Sequence, residues 1–124
     1  MSVFGKRFIK SFSNAAHGAA YLFKSQLNAR IELIITCFVI IAGILFRISS
    51  TEWITILLCI ALVLGLEGIN TAIELLADKV EPAKDKEIGK VKDVAAGAVL
   101  VAAVVAAIIG FIIFAPRFLH LLQN

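Results

Sequence analysis

Between Val94 and Ala115 the chain runs for 22 residues without a charged side chain. That is about the length an α-helix needs to cross the ~30 Å hydrocarbon core of a bilayer. Inside such a core only helices and closed barrels satisfy their own backbone polar groups. Two further apolar runs precede it. The first, IELIITCFVIIAGILF, extends from Ile31 to Phe46; the second opens at Trp53, a fitting interfacial anchor, and reaches Asp78 without a Lys or Arg. Hydrophobic residues make up 60% of the 124 and mean hydropathy is +0.97, against roughly 45 to 50% apolar residues in a soluble domain. The chain therefore needs lipid.

The residues ahead of the first span form a different pattern. At 100° per residue, Phe4, Phe8, Ile9, Phe12, Ala16, Ala19, Leu22 and Phe23 share one arc, while Lys6, Arg7, Lys10, Asn14, His17 and Lys24 share the other. A large aromatic face opposite a basic one suits a helix lying in the bilayer interface. We expect an all-α single domain over residues 1–124. It comprises an amphipathic surface helix over 1–28, transmembrane helices over 30–48, 52–78 and 92–118, and a cytoplasmic loop over 79–91. In that loop, DKVEPAKDKEIGKVKD, Pro82 and Gly89 read as helix breakers.

Charge sets the orientation. Lys6, Arg7, Lys10, Lys24 and Arg30 precede the first span and Lys79, Lys84, Lys86, Lys90 and Lys92 follow the second, whereas Arg47 and Arg117 stand on the opposite side. By the positive-inside rule the N-terminus and the charged loop are expected to face the cytoplasm. MSVFGKRFIK has no apolar core followed by a cleavage site, so no removable signal peptide is expected. The net charge of +3 comes with no nucleic-acid motif and points to lipid headgroups instead. Cys37 and Cys59 both lie in apolar runs and read as small buried hydrophobes, not as metal ligands or a disulfide. Ala98, Ala102, Ala106 and Gly110 form a four-residue ladder of small side chains that lets another helix approach closely.

The second span also carries acids. Glu67, Asn70, Glu74 and Asp78 follow one another at three, four and four residues and so line one helix face. An Asp at membrane depth costs about 2.5 to 3.5 kcal/mol on insertion scales, so acidic groups there mark a functional site by default. The competing interpretation is a protonated Glu bonding between helices. Lys92 and Asp93 begin the third span at the same level as Glu74 and Asp78. Together these groups could hold Mg²⁺ and the phosphates of a nucleotide, because Mg²⁺ is bound by one or two carboxylates plus phosphate oxygens. Neither a GxxxxGK[ST] loop nor a GxGxxG is present, so any nucleotide site is of another kind.

EGINTAIELLAD followed by GKVKDVAAGAVL resembles the paired signature of the small membrane-integral bacterial diacylglycerol kinases and their undecaprenol kinase relatives. The resemblance extends back through ARIE to the basic N-terminus. It implies a homotrimer of the bacterial inner membrane that transfers the γ-phosphate of ATP to a lipid hydroxyl, with Mg²⁺ as the working metal. By resemblance, Glu67 matches the general base, Glu74 a metal-binding carboxylate, and Asn70, Asp78, Lys92 and Asp93 nucleotide-site residues. Arg7 matches a surface-helix arginine near ATP. Two positions depart from the pattern. Gln26 stands where a second metal-binding Glu is usual, and its neutral amide is a weaker ligand for a hard cation. Asn14 stands where an aromatic side chain near the adenine is expected.

On the lipid side the resemblance implicates Arg30, Glu32, Glu67 and Ala96. Ala96, where some diacylglycerol enzymes carry Ser, leans toward undecaprenol; Glu32, where undecaprenol enzymes often carry His, leans toward diacylglycerol, which is ranked first. An alternative of another class is a nonenzymatic, pore-forming oligomer. Such a pore has no need of Lys92 and Asp93 beside the acidic face.

Overall fold

The helix boundaries follow from local chemistry. Ser2 caps the first helix, its hydroxyl accepting from the Gly5 amide at 3.1 Å. Gln26 alone separates the first two helices: its extended backbone (φ −110°, ψ 116°) turns the chain, while its N–H donates to the Leu22 carbonyl and its own carbonyl accepts from Arg30. In the computed structural model, which describes residues 1–124, the chain consists of four helices and no strands. They are α1 (Val3–Ser25), α2 (Leu27–Leu45), α3 (Ser50–Val80) and α4 (Lys86–Gln123). The last three are long and apolar enough to cross a membrane.

The α2–α3 turn is built from two interlocking caps. At the end of α2 the Ile48 amide donates to the Gly43 carbonyl and the Arg47 amide to that of Ile44. This is the Schellman arrangement, with Arg47 in the left-handed position (φ 52°) that glycine usually fills. Two residues on, the Ser49 hydroxyl accepts from the Glu52 amide at 3.2 Å and the Glu52 carboxylate accepts from the Ser49 amide at 3.0 Å, a complete capping box. Gly43 is required here for room: a Cβ would stand 2.7 Å from Cη2 of Trp53. The hairpin thus closes with an indole against bare backbone.

The connection between α3 and α4 differs from the expected loop. Pro82 does lie between helices, but α4 already begins at Lys86, and Gly89 lies within it. Asp85 supplies the start, its Oδ2 accepting from the Ile88 amide at 3.0 Å. Lys and Glu are good helix formers and one interior glycine costs only about 1 kcal/mol, so the cap prevails over the breaker.

α3 and α4 share the most extensive contact of the fold. Within the ladder, Ala102 is buried against the chain's own helices, Ala106 and Gly110 are half-buried, and Ala98 is exposed. At the turn end, Ile48, Ile56 and Ile113 make a small core to which Phe46 and Phe114 add a tilted aromatic pair with centroids 6.2 Å apart. Only 11 of 124 residues are buried, so most apolar side chains face outward and require lipid or other copies to cover them. α1 buries none of its residues and leaves Phe4, Phe8 and Phe12 exposed. Its C-terminal end docks, with Leu22 reaching over Gly68 of α3.

Candidate active site

Glu67, Asn70 and Thr71 are the buried polar residues of the chain, at 3%, 7% and 4% exposure. All three lie on α3, beside the point where Leu22 covers Gly68. The Thr71 hydroxyl donates to the Glu67 carbonyl at 3.0 Å, a bond internal to the helix that satisfies Thr71 without engaging the carboxylate. One turn on, Asn70 Nδ2 donates to Glu74 Oε1 at 3.4 Å, while Asn70 Oδ1 is buried with no partner. An orphaned buried acceptor costs about 1 to 3 kcal/mol, so its retention calls for a ligand or another group to satisfy it. Glu74 is half-buried. Asp78, exposed, forms an ion pair with Lys92 of α4.

The expected column is therefore continuous on α3, running from buried Glu67 to the solvated Asp78–Lys92 pair about 16 Å along the helix. Other expected residues stand apart from it. Asp93 is exposed at the head of α4, and Ala96 is exposed one turn further on. Arg7 and Asn14 lie on the exposed α1 and make no side-chain hydrogen bond or ion pair. Gln26 is half-buried at the α1–α2 corner, Arg30 is exposed, and Glu32 is half-buried with Oε2 unpartnered. Glu32 also lines a groove of ≈ 350 Å³ between α2, α3 and α4, whose other walls include Thr36, Cys59, Val63 and Ala106. Thr71 was not anticipated: spacing selects the face of Glu67, Asn70 and Glu74, and a hydroxyl bonded to its own helix leaves no pattern.

The sequence profile of the family described as prokaryotic diacylglycerol kinase matches residues 13–114. The chain belongs to that family. It is 39% identical over 111 residues to an undecaprenol kinase of Bacillus subtilis (strain 168), covering 90% of each chain. It is 37% identical over 113 residues to a diacylglycerol kinase of Synechocystis sp., covering 90% of this chain but 65% of that relative.

As a member of the prokaryotic diacylglycerol kinase family, the chain is an enzyme, a lipid kinase, and a kinase implies ATP as co-substrate. Neither the fold nor the relatives favour the pore. The family match spans every expected site residue except Arg7, which precedes it. No cluster of three His, Cys, Asp or Glu side chains capable of holding a metal forms within the chain. The donors that do occur, the Glu74 carboxylate and the unpartnered Asn70 Oδ1 one turn away, are hard oxygens. They fit a Mg²⁺ that takes few protein ligands and relies on phosphate oxygens and water for the rest.

Proposed function

We propose that this family member transfers the γ-phosphate of ATP to the hydroxyl of a membrane lipid alcohol, with Glu67 as general base. The observation that carries this reading is the burial of Glu67 at the inner end of a polar face whose other end is an exposed ion pair. Lipid reaches such a face from the bilayer and ATP from water. The lipid oxygen attacks the γ-phosphorus, the bond to the β–γ bridging oxygen breaks, ADP departs, and the hydroxyl proton passes to the Glu67 carboxylate. Phosphoryl transfer depends on positioning and charge neutralisation more than on covalent chemistry. Lys92 and Asp93, about two turns into α4, orient the nucleotide phosphates, with Asn70 and Asp78 on the facing helix, and Arg7 and Asn14 of α1 would complete the nucleotide site. Glu74, with Gln26 from the corner, would hold Mg²⁺, which screens phosphate charge when bound. A homotrimer covers part of the outward-facing apolar surface, and the charged ends of α3 and α4 lie on the cytoplasmic side.

For the acceptor, undecaprenol takes first place. The Bacillus undecaprenol kinase matches over 90% of both chains, and Ala96 offers no hydroxyl. Glu32 and the Synechocystis diacylglycerol kinase keep diacylglycerol as the second reading. The test is competition: purified protein in mixed micelles with ATP and equal amounts of both alcohols. Undecaprenyl phosphate should predominate. Predominant phosphatidic acid reverses the order, and transfer to neither lipid overturns the assignment.

A further inference from the structure

α4 is longer than a bilayer requires. Its 38 residues rise about 57 Å, against a hydrocarbon core of about 30 Å. At the Lys86 end the excess is charged and suits water. At the other end it is apolar: Phe118, Leu119, Leu121 and Leu122 are 53%, 57%, 60% and 67% exposed.

Arg117 fixes the level of this segment. Its guanidinium is held by Glu52 in the first turn of α3, next to Trp53, so the three residues mark one boundary of the spans. Residues 118–123 rise up to about 9 Å beyond it, comparable with a headgroup layer of about 5 to 8 Å. The segment has two faces. Phe118, Leu121 and Leu122 fall together by their spacing, with Leu119 at the edge, whereas Arg117, His120 and Asn124 lie opposite, His120 Nε2 and Asn124 Nδ2 being 3.4 Å apart. The apolar face continues a stripe within the span, because Val104, Phe111 and Phe118 are seven residues apart and all exposed. Pro116 provides no N–H for the Ile112 carbonyl, which leaves the helix ladder weakest where the stripe leaves the hydrocarbon. The family match ends at residue 114, and this segment lies beyond it.

We propose that residues 117–123 are an interfacial anchor, with the face of Phe118, Leu119, Leu121 and Leu122 seated within the headgroup layer of the leaflet remote from the Asp78–Lys92 pair. The stripe of Val104, Phe111 and Phe118 lies on the side of α4 opposite Ala98, Ala102, Ala106 and Gly110, whose small side chains suit helix contact, and this favours lipid as the occupant over water or a second copy. The experiment places a solvatochromic thiol probe at Leu122→Cys in a Cys37→Ala, Cys59→Ala background, reconstituted in phosphatidylcholine–phosphatidylglycerol vesicles. Leu119→Cys serves as a second position should the first variant fold poorly. Emission should be blue-shifted, and lipid carrying a nitroxide near the headgroup should quench it at least about threefold more than aqueous iodide, as residence within the headgroup layer requires. Dominant iodide quenching overturns the proposal in favour of a solvated tail. Self-quenching that vanishes on dilution with unlabelled protein overturns it in favour of contact between copies.

Discussion

Arg117 and Glu52, 65 residues apart in the chain, meet fork to fork, Nη2 to Oε1 at 2.7 Å and Nη1 to Oε2 at 2.8 Å. Arg117 Nη1 also reaches the Ile113 carbonyl at 2.8 Å, and Glu52 at the same time completes the Ser49 capping box. One carboxylate therefore ties the start of α3 to the end of α4 and closes its own helix.

Breaking that tie should loosen the end of the molecule remote from the proposed site. Arg117→Met is expected to lower the melting temperature in detergent micelles. Because a bidentate pair acts as a unit, Arg117→Met with Glu52→Gln should lose less than the two single losses combined. Strict additivity in a double-mutant cycle would show that the pair is incidental. Kinase activity, measured well below the melting temperature, should change little.

Arg47 pays a conformational cost at φ 52°. The left-handed region disfavours a residue with a Cβ by roughly 1 to 2 kcal/mol, and glycine is free of that clash. Part of the gain is offset by the greater freedom of glycine in the unfolded chain. Arg47→Gly should therefore stabilise the protein by about 0.5 to 1 kcal/mol, measured by reversible unfolding in mixed micelles. A loss of stability would mean that the Arg47 side chain contributes more than its backbone strain costs.

These two residues also show where sequence reading stops. Hydropathy locates the part of a helix that sits in lipid, so the uncharged run from Val94 to Ala115 was legible. It does not report that α4 extends past the expected 92–118, through Lys86–Val91 and Leu119–Gln123. Helix formation is indifferent to charge once Asp85 supplies a cap. The polar face of α3 was legible because helical periodicity alone aligns Glu67 with Glu74. The Glu52–Arg117 pair was not, since no local period links residues on different helices. Nor was Arg47, because the Schellman position advertises itself only when it holds glycine. The single-residue corner at Gln26 was equally silent: it contains neither proline nor glycine.

Glu67→Gln keeps shape and polarity while removing the proton acceptor. Lipid phosphorylation should fall about 10²- to 10⁴-fold, the usual contribution of a general base. ATP affinity should be retained, because Asn70, Glu74 and Lys92 are unchanged. Rate, nucleotide binding and melting temperature should be measured on one preparation. Near-normal turnover would remove Glu67 from the chemistry; loss of assembly along with activity would make it a helix-packing group.

Gln26→Glu adds a carboxylate at the α1–α2 corner, where the backbone is already fixed and the side chain makes no cap hydrogen bond. If Gln26 approaches the metal, the Mg²⁺ concentration for half-maximal activity should fall, because a charged oxygen binds a hard cation better than an amide. An unaltered Mg²⁺ dependence would place Gln26 outside the coordination sphere.

If Glu67 is the base, the polar face from Glu67 to Asp78 also separates substrate from product. A lipid alcohol is neutral and can bring its hydroxyl down to Glu67. Once phosphorylated, the same lipid carries about 1.5 to 2 negative charges, if it titrates like other phosphomonoesters near neutral pH. It then stands at a depth where charge is costly. On the proposed reading its new headgroup is drawn toward Lys92 and the water at the exposed end of α3, while its chains stay in the bilayer. On that reading turnover has a built-in direction: the reaction creates the charge that draws its own product out of the buried depth, which then suits another uncharged lipid.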